Sequence, residues 1–325
     1  MVVSLGAPVT VDSLVDLIKL QAVIPNTAAL FSPANCASLL NDAMRKRVIP
    51  LIKSLKEEYW VTTTATPVSA SVNAYPIPYR AAGNALRDVC LMDNNQNLLA
   101  LVRYEPEDIK FPLIPYNSPY FRLGYYLQDF NVVLFPPQVS NYTAYQVLMK
   151  WERRPSHLTL TTNCGYVTAF SQGAGTITLS SVPTSWTANV TTIDIINNLP
   201  PFNSIADDVV ITGIAGLVVS VTIPSAYSAT FWTNVAANYW ASVSMTSPIP
   251  QIPYEAFSYL AALGKKQLLS GLADTNMLKE CDEDIAEAKV LINSILTPRV
   301  EGTPKILSGF GGIINYGQNR VGNLG

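Results

Sequence analysis

Apolar positions along the chain follow two different periods, and the changes of period divide it into three. Thr10 offers a hydroxyl cap ahead of Leu14, Val15, Leu17 and Ile18, which form one face of a first short helix that Ile24-Pro25 ends. Ser32-Pro33 supplies a second start, a side-chain acceptor followed by a proline whose missing N–H costs nothing there. The stripe Leu40, Met44, Val48, Leu51, Leu55 and Tyr59 then advances by steps of three and four. Pro50 sits inside it and predicts a kink near residues 46–49, not a break. From Val61 to about Pro248 the period becomes two: Phe121, Leu123, Tyr125 and Leu127 alternate, as do Tyr145, Val147, Met149 and Trp151. Asp93-Asn94-Asn95 and Gln172-Gly173-Ala174-Gly175 supply turns. Prolines and polar turns recur about every 10–15 residues, a spacing that favours a β-barrel or sandwich over βαβ units. Tyr166 to Trp186 and Val210 to Tyr227 share a rhythm of strand, glycine turn and strand, and read as two similar hairpins.

Helical spacing returns at Pro253, with Tyr254, Phe257, Leu260 and Ala261 on one face and Gly271 near the end. A second helix begins near Thr275, where Leu278, Cys281, Ile285, Ala288, Ile292 and Ile295 make a seam roughly 33 Å long. Its other face, Lys279, Glu280, Asp282, Glu283, Asp284, Glu287 and Lys289, is charged and solvated; Thr297-Pro298 stops it. The seam has to bury against something, and the kinked N-terminal helix is the expected partner. The glycine-rich segment Ser308 to Arg320 cannot form a core of its own and is expected to be disordered or to order on a partner. The expected fold is α+β. Residues 1–60 and 251–297 form a small helical bundle, 61–250 a large β-rich barrel or sandwich inserted between them, and 298–325 an extended C-terminal arm.

Charge sharpens this division. Only 14% of the 325 residues are charged, and the formal net charge is −2. Residues 1–60 carry eleven charges and 251–325 fifteen, whereas the 190 residues between carry eighteen, and no Lys or Arg occurs between Arg154 and Lys265. A dedicated nucleic-acid binder would carry a basic excess, and a disordered chain would combine low hydrophobicity with high charge; neither fits. One histidine, His157, excludes zinc sites built on two. Cys36, Cys90, Cys164 and Cys281 lie far apart without a C-x-x-C pair, and read as reduced, buried thiols. Asp12 and Asp16 interrupt any signal-peptide core, and Val209 to Ile223, broken by glycines and ended by Pro224, reads as paired strands and not a membrane span. The expectation is a soluble, cytoplasmic chain.

Candidate chemistry is sparse. Gly173-Ala174-Gly175 lacks the third glycine and the following helix of a dinucleotide turn, and no phosphate-binding loop motif occurs. Asp207-Asp208 is a possible carboxylate pair that reads better as a polar turn before a strand; Glu57-Glu58 reads as a solvated helix face. His157 follows Arg153-Arg154-Pro155-Ser156 in a polar loop with no nucleophile nearby. Arg45-Lys46-Arg47, the one basic cluster, reads as a helix face, or as a contact to a partner carboxylate or DNA phosphate. No cofactor, metal or catalytic residue is expected. Five Trp and sixteen Tyr with few charges favour recognition over catalysis.

Several stretches carry a resemblance: Glu57-Glu58-Tyr59-Trp60-Val61-Thr62-Thr63-Thr64, then Ala74-Tyr75-Pro76-Ile77-Pro78-Tyr79-Arg80 through Val89, Tyr239-Trp240-Ala241, Ser247 to Pro253, and Leu296-Thr297-Pro298-Arg299-Val300-Glu301-Gly302. Together they resemble the neck or head–tail adaptor (connector) class of tailed-bacteriophage virion proteins. The resemblance implies a helical bundle seated on the portal ring, usually in twelve copies, a β-rich insertion facing outward or toward the tail, and a C-terminal arm reaching a neighbour. It implies partners in the portal protein, the tail or nozzle proteins and further copies of the chain, non-specific passage of double-stranded DNA, no membrane, no enzyme activity, and a place in the virion neck after assembly in the host cytoplasm. On this reading Phe310, Ile313, Ile314, Tyr316 and Arg320 of the arm are the partner-binding residues. Two alternatives stand beside it. One is another virion component, of the tail or capsid. The other is a carbohydrate-binding or hydrolysing β-protein, drawing its acids from Glu105, Glu107, Asp108, Asp129 and Glu152.

Overall fold

The computed structural model describes residues 9–25, 31–105, 107, 123–135, 142–224, 231–271 and 275–297, and the fold is mixed α+β. Helix α1 (Val11–Gln21) begins at Thr10, whose Oγ1 accepts the Ser13 N–H at 3.3 Å; α2 (Pro33–Ala43) begins at Ser32, whose Oγ accepts the Asn35 N–H at 3.3 Å. Both caps are the ones that the sequence offers. Between α2 and α3 (Ile49–Leu55), residues Met44–Val48 are π-helical. Pro50 has no N–H to return to the Lys46 carbonyl and its ring crowds that oxygen, and a turn widened by one residue removes the conflict. Where a kink is expected near 46–49, the helix runs on through a π-bulge at Met44–Val48.

After the short α4 (Phe231–Asn234), α5 (Phe257–Ser270) and α6 (Thr275–Leu296) close the described chain. Helix α5 packs on α1, α2 and α6, while α6 lies chiefly on α5 and only touches α3. The seam of α6 thus finds its main partner in the preceding helix rather than in the kinked N-terminal one, because a short connection returns it directly onto α5. Cys281, Ala288 and Ile292 are buried there, and Lys265–Asp284 (3.0 Å) and Lys266–Asp282 (2.5 Å) ion pairs run between the two helices. Gly264 of α5 faces Leu40 so closely that a Cβ would lie 2.8 Å from its Cδ2, so the small residue sets how near α2 approaches. Apolar side chains of α1, α2, α3, α5 and α6 form one cluster, joined by Leu158, Phe202, Ile249 and Ile252.

Among the described residues the strands make four groups. In the first, β1 (Val61–Pro67), β8 (Gln146–Arg153), β3 (Ala81–Met92) and β4 (Leu98–Ala100) lie side by side, all antiparallel. The second runs β2 (Ala74–Pro76), β7 (Asn131–Phe135), β6 (Gly124–Gln128) and β5 (Val102–Arg103), with only the β5–β6 pair parallel. Val147, Met149 and Trp151 of β8 are buried as their alternation predicts, and share a cluster with Tyr75, Val132 and Leu134 of the second sheet. The third group is a closed antiparallel barrel in the order β10 (Cys164–Ser171), β11 (Thr176–Leu179), β14 (Val218–Thr222), β13 (Ser204–Ala215), β12 (Thr192–Ile196) and β15 (Trp240–Val243), with Ile177, Ile193, Ile211 and Val219 inside. The two hairpins read from the sequence are β10–β11, turning at 172–175 with Gly175 at φ +63°, and β13–β14, turning at Gly216 with φ +60°. They are neighbours through β11–β14 pairing. Last, β9 (His157–Leu158) pairs in parallel with β16 (Thr246–Ser247).

Side chains tie the helices to the strands. The Asn41 amide donates to the Leu158 carbonyl (2.9 Å) and accepts the Leu158 N–H (2.7 Å), taking the place of a strand neighbour at β9. Asp12 accepts the Thr161 N–H (2.7 Å), and the Trp60 indole donates to the Gln251 carbonyl (3.0 Å).

Candidate functional site

The densest charge in the described structure lies where the first sheet meets the barrel. Opposite Asp194, β13 carries two residues, Asp207 and Asp208, between the pairs Ile193↔Val209 and Ile195↔Ala206. This is a β-bulge. Asp208 takes φ +58°, a region that Asp tolerates better than most residues, and the bulge swings its carboxylate round beside that of Asp194. The expected polar turn ahead of a strand at Asp207-Asp208 is therefore corrected: both lie inside β13, and the extra residue of the bulge re-aims them.

Arg80, at the entrance to β3, fills the space between these acids. Its Nη1 and Nη2 donate to the two Asp194 oxygens at 2.8 Å each, Nη2 also reaches Asp208 Oδ1 at 2.7 Å, and Nη1 lies 3.3 Å from Asp207 Oδ1. Arg153, the last residue of β8, donates to Asp207 at 2.7 Å. The Asp208 and Met245 N–H groups donate to Asp194 at 3.0 Å, and the Ser204, Ser244 and Tyr79 hydroxyls complete the network. Two guanidinium groups from the sheet thus meet three carboxylates from the barrel. Burial acts to lower the Arg80 pKa, but its bonds to Asp194 and Asp208 outweigh that and raise it. Burial likewise acts to raise Asp208, and donation from Arg80, Ser244 and Tyr79 prevails, holding it below the usual carboxylate range. Asp194, almost fully enclosed, is pushed up by burial despite Arg80. With its carboxylates paired to two guanidinium groups, the cluster joins two parts of the fold.

The other sequence candidates fall apart in space or sit in ion pairs. Glu152 lies between Lys53 (2.5 Å) and Arg87 (2.7 Å), and although burial acts to raise it, these two cations hold it low. Glu57, in the turn after α3 and not on the helix itself, pairs with Arg87 at 2.9 Å. Glu105 lies 3.7 Å from Arg103, Glu107 is exposed, and Asp129 occupies the turn between β6 and β7; Asp108 lies outside the described residues. His157 is exposed on β9. Arg45, Lys46 and Arg47 project from the π-bulge into solvent, Lys46 pairing with Asp42 at 2.8 Å. Phe310, Ile313, Ile314, Tyr316 and Arg320 lie outside the described residues. Among the described residues no group of three or more His, Cys, Asp or Glu is placed to hold a metal ion, all four cysteines are free and buried, and no helix is long and apolar enough to cross a membrane.

One hollow is apolar. About 540 Å³ in volume, it lies between the end of α3, the β12–β13 loop and the end of α6, with Tyr59, Leu199, Pro201, Phe202, Tyr254 and Ile295 among its walls. A second hollow of about 270 Å³ shares Tyr59, Pro201 and Phe202 and continues toward Arg153. No protein-family model matches the chain, and no curated protein matches it.

Proposed function

We propose that the chain is a virion structural protein: a ring-forming head–tail adaptor of a tailed bacteriophage that joins the portal to the tail around the DNA channel. On this reading residues 1–60 and 251–297 are the helical bundle seated on the portal, 61–250 the inserted β-rich part, and 298–325 the arm that grips a neighbour. The observation that carries the reading is the shared core of α1, α2 and α3 from one end of the chain with α5 and α6 from the other, the strands lying between them in sequence. That layout agrees with the one the resemblance implies. The barrel segment is consistent with an assembly surface: between Pro155 and Pro250 the only acids are Asp194, Asp207 and Asp208, all bonded to arginines, and the remaining side chains are uncharged. Lateral contacts between copies then form with little charge to desolvate. Arg45 and Arg47, exposed beside the helical core, are placed to meet partner carboxylates or DNA phosphates. Its partners are the portal protein, tail or nozzle proteins and further copies of itself, and its location is the neck.

The test is the mass of the purified chain, alone and mixed with the portal protein of the same phage. A ring that forms only in the mixture supports the proposal. A chain that stays monomeric in the mixture and binds glycans contradicts it.

A further inference from the structure

The apolar hollow beside α6 has an unusual relation to the rest of the chain. Ile295, which completes the α6 seam, is 48% exposed at its edge, and Leu199 across from it is 66% exposed. Leu296 also lines the hollow, so the polypeptide leaves the described structure from the hollow's own wall. Among the described residues that line it, Lys56 and Glu255 are the only charged ones. Downstream, residues 306–319 carry no charge and contain Phe310, Ile313, Ile314 and Tyr316.

We propose that this hollow is the docking site for residues 308–316 of the same chain, held there while the chain is free of partners. The volume, about 540 Å³, lies within the roughly 300–1,000 Å³ range of sites that enclose several apolar groups. Phe310 is thirteen positions beyond Thr297, a reach of up to about 43 Å when extended, so the span is met with slack to spare. Tethering supplies an effective concentration on the order of millimolar, and lengthening a loop adds little closure cost. A weak apolar contact is therefore sufficient within one chain where it would fail between two. The uncharged segment suits a hollow with mostly apolar walls, and Phe310 and the isoleucines would cover Leu199 and Ile295. The parked segment keeps Phe310, Ile313, Ile314 and Tyr316 out of water until a partner with a better groove takes them. This inference goes beyond the adaptor reading and does not need it, since it concerns the isolated chain.

The test uses the full chain with the substitutions Leu199→Cys and Ile313→Cys, under a mild thiol oxidant; the four native thiols are buried and stay out of the reaction. The expected product is a monomer with an internal disulfide, formed at least about tenfold faster than in a control pairing Ile313→Cys with Leu98→Cys on β4, an exposed position that does not line the hollow. Hydrogen exchange supplies a second readout. In Phe310→Asp/Ile313→Asp/Ile314→Asp, segment 197–203 should exchange about fivefold faster than in the parent. Equal linking to both positions, disulfide-linked dimers in place of monomers, or exchange unchanged by the triple substitution would overturn the proposal.

Discussion

Replacing Arg80 with methionine removes the guanidinium that lies among three carboxylates, while keeping a side chain about as long as the arginine's aliphatic stem. Asp194 then keeps only the Asp208 and Met245 N–H donors in a buried site, and Asp207 keeps Arg153. Removing one partner of a buried ion pair costs about 3–5 kcal/mol, because the remaining charge stays desolvated. Asp208 adds less than a full share: a third of its side chain is exposed, and water screens it. At about 2–4 °C per kcal/mol, the value for domains of about 150–250 residues, Arg80→Met should lower Tm by about 6–20 °C. The assay is urea and thermal unfolding followed by circular dichroism. Arg80→Lys should fall between the two, since one ammonium cannot serve Asp194 through two parallel bonds. The triple variant Arg80→Met/Asp194→Asn/Asp208→Asn should regain at least half of the loss. Without Arg80, burial acts on Asp194 with less opposing it and holds its folded pKa further above the unfolded one, so the deficit of Arg80→Met should shrink as the pH is lowered from 7 to 5. A Tm within 1 °C of the parent, or a deficit that widens on acidification, would refute the clamp.

Three further outcomes follow from the geometry. Asn41→Leu strands both backbone groups of Leu158 and should cost about 1–3 kcal/mol in urea unfolding, with loss of hydrogen-exchange protection at β9. Gly124→Ala would set a Cβ 2.2 Å from the Val102 carbonyl oxygen, so β5 must separate from β6; a destabilisation of about 1–3 kcal/mol or more is expected, and an unchanged urea midpoint would count against the β5–β6 register. The parent should hold its stability from pH 7 to 5 and lose it as the pH falls through the ordinary carboxylate values, 3.8 for Asp and 4.5 for Glu. Asp208 and Glu152 titrate below those values when folded, so their contribution is complete above them and drains below, with the raised Asp194 offsetting part of the loss. Urea midpoints at pH 7, 5 and 3.5 check this.

What the sequence reveals follows from what is local. The caps at Thr10 and Ser32, the irregularity forced by Pro50, the alternation of Val147, Met149 and Trp151, and the glycine turns at 175 and 216 each depend on neighbours a few residues away, and each stands where its residues place it. The packing of α6 was not legible, because an apolar seam states that it will be buried without naming the helix that buries it. The ion cluster was hidden for a different reason. A bulge is one residue of register, and nothing in Ala206-Asp207-Asp208-Val209 distinguishes a bulged strand from a polar turn. Arg80 and Asp194 are 114 residues apart, and neither position carries a signal by itself. One signal did exist: a stretch of over a hundred residues without Lys or Arg that still contains three aspartates must draw its neutralising charges from outside, and Arg80 and Arg153 are those charges.

The adaptor reading makes one spatial demand that electron cryomicroscopy of the intact particle meets directly. If the account is right, the helical core and the six-stranded barrel will fit a ring of density at the neck, between portal and tail, with the helices toward the portal. Particles whose neck density cannot accommodate this chain, or purified virions that lack it altogether, would contradict the account.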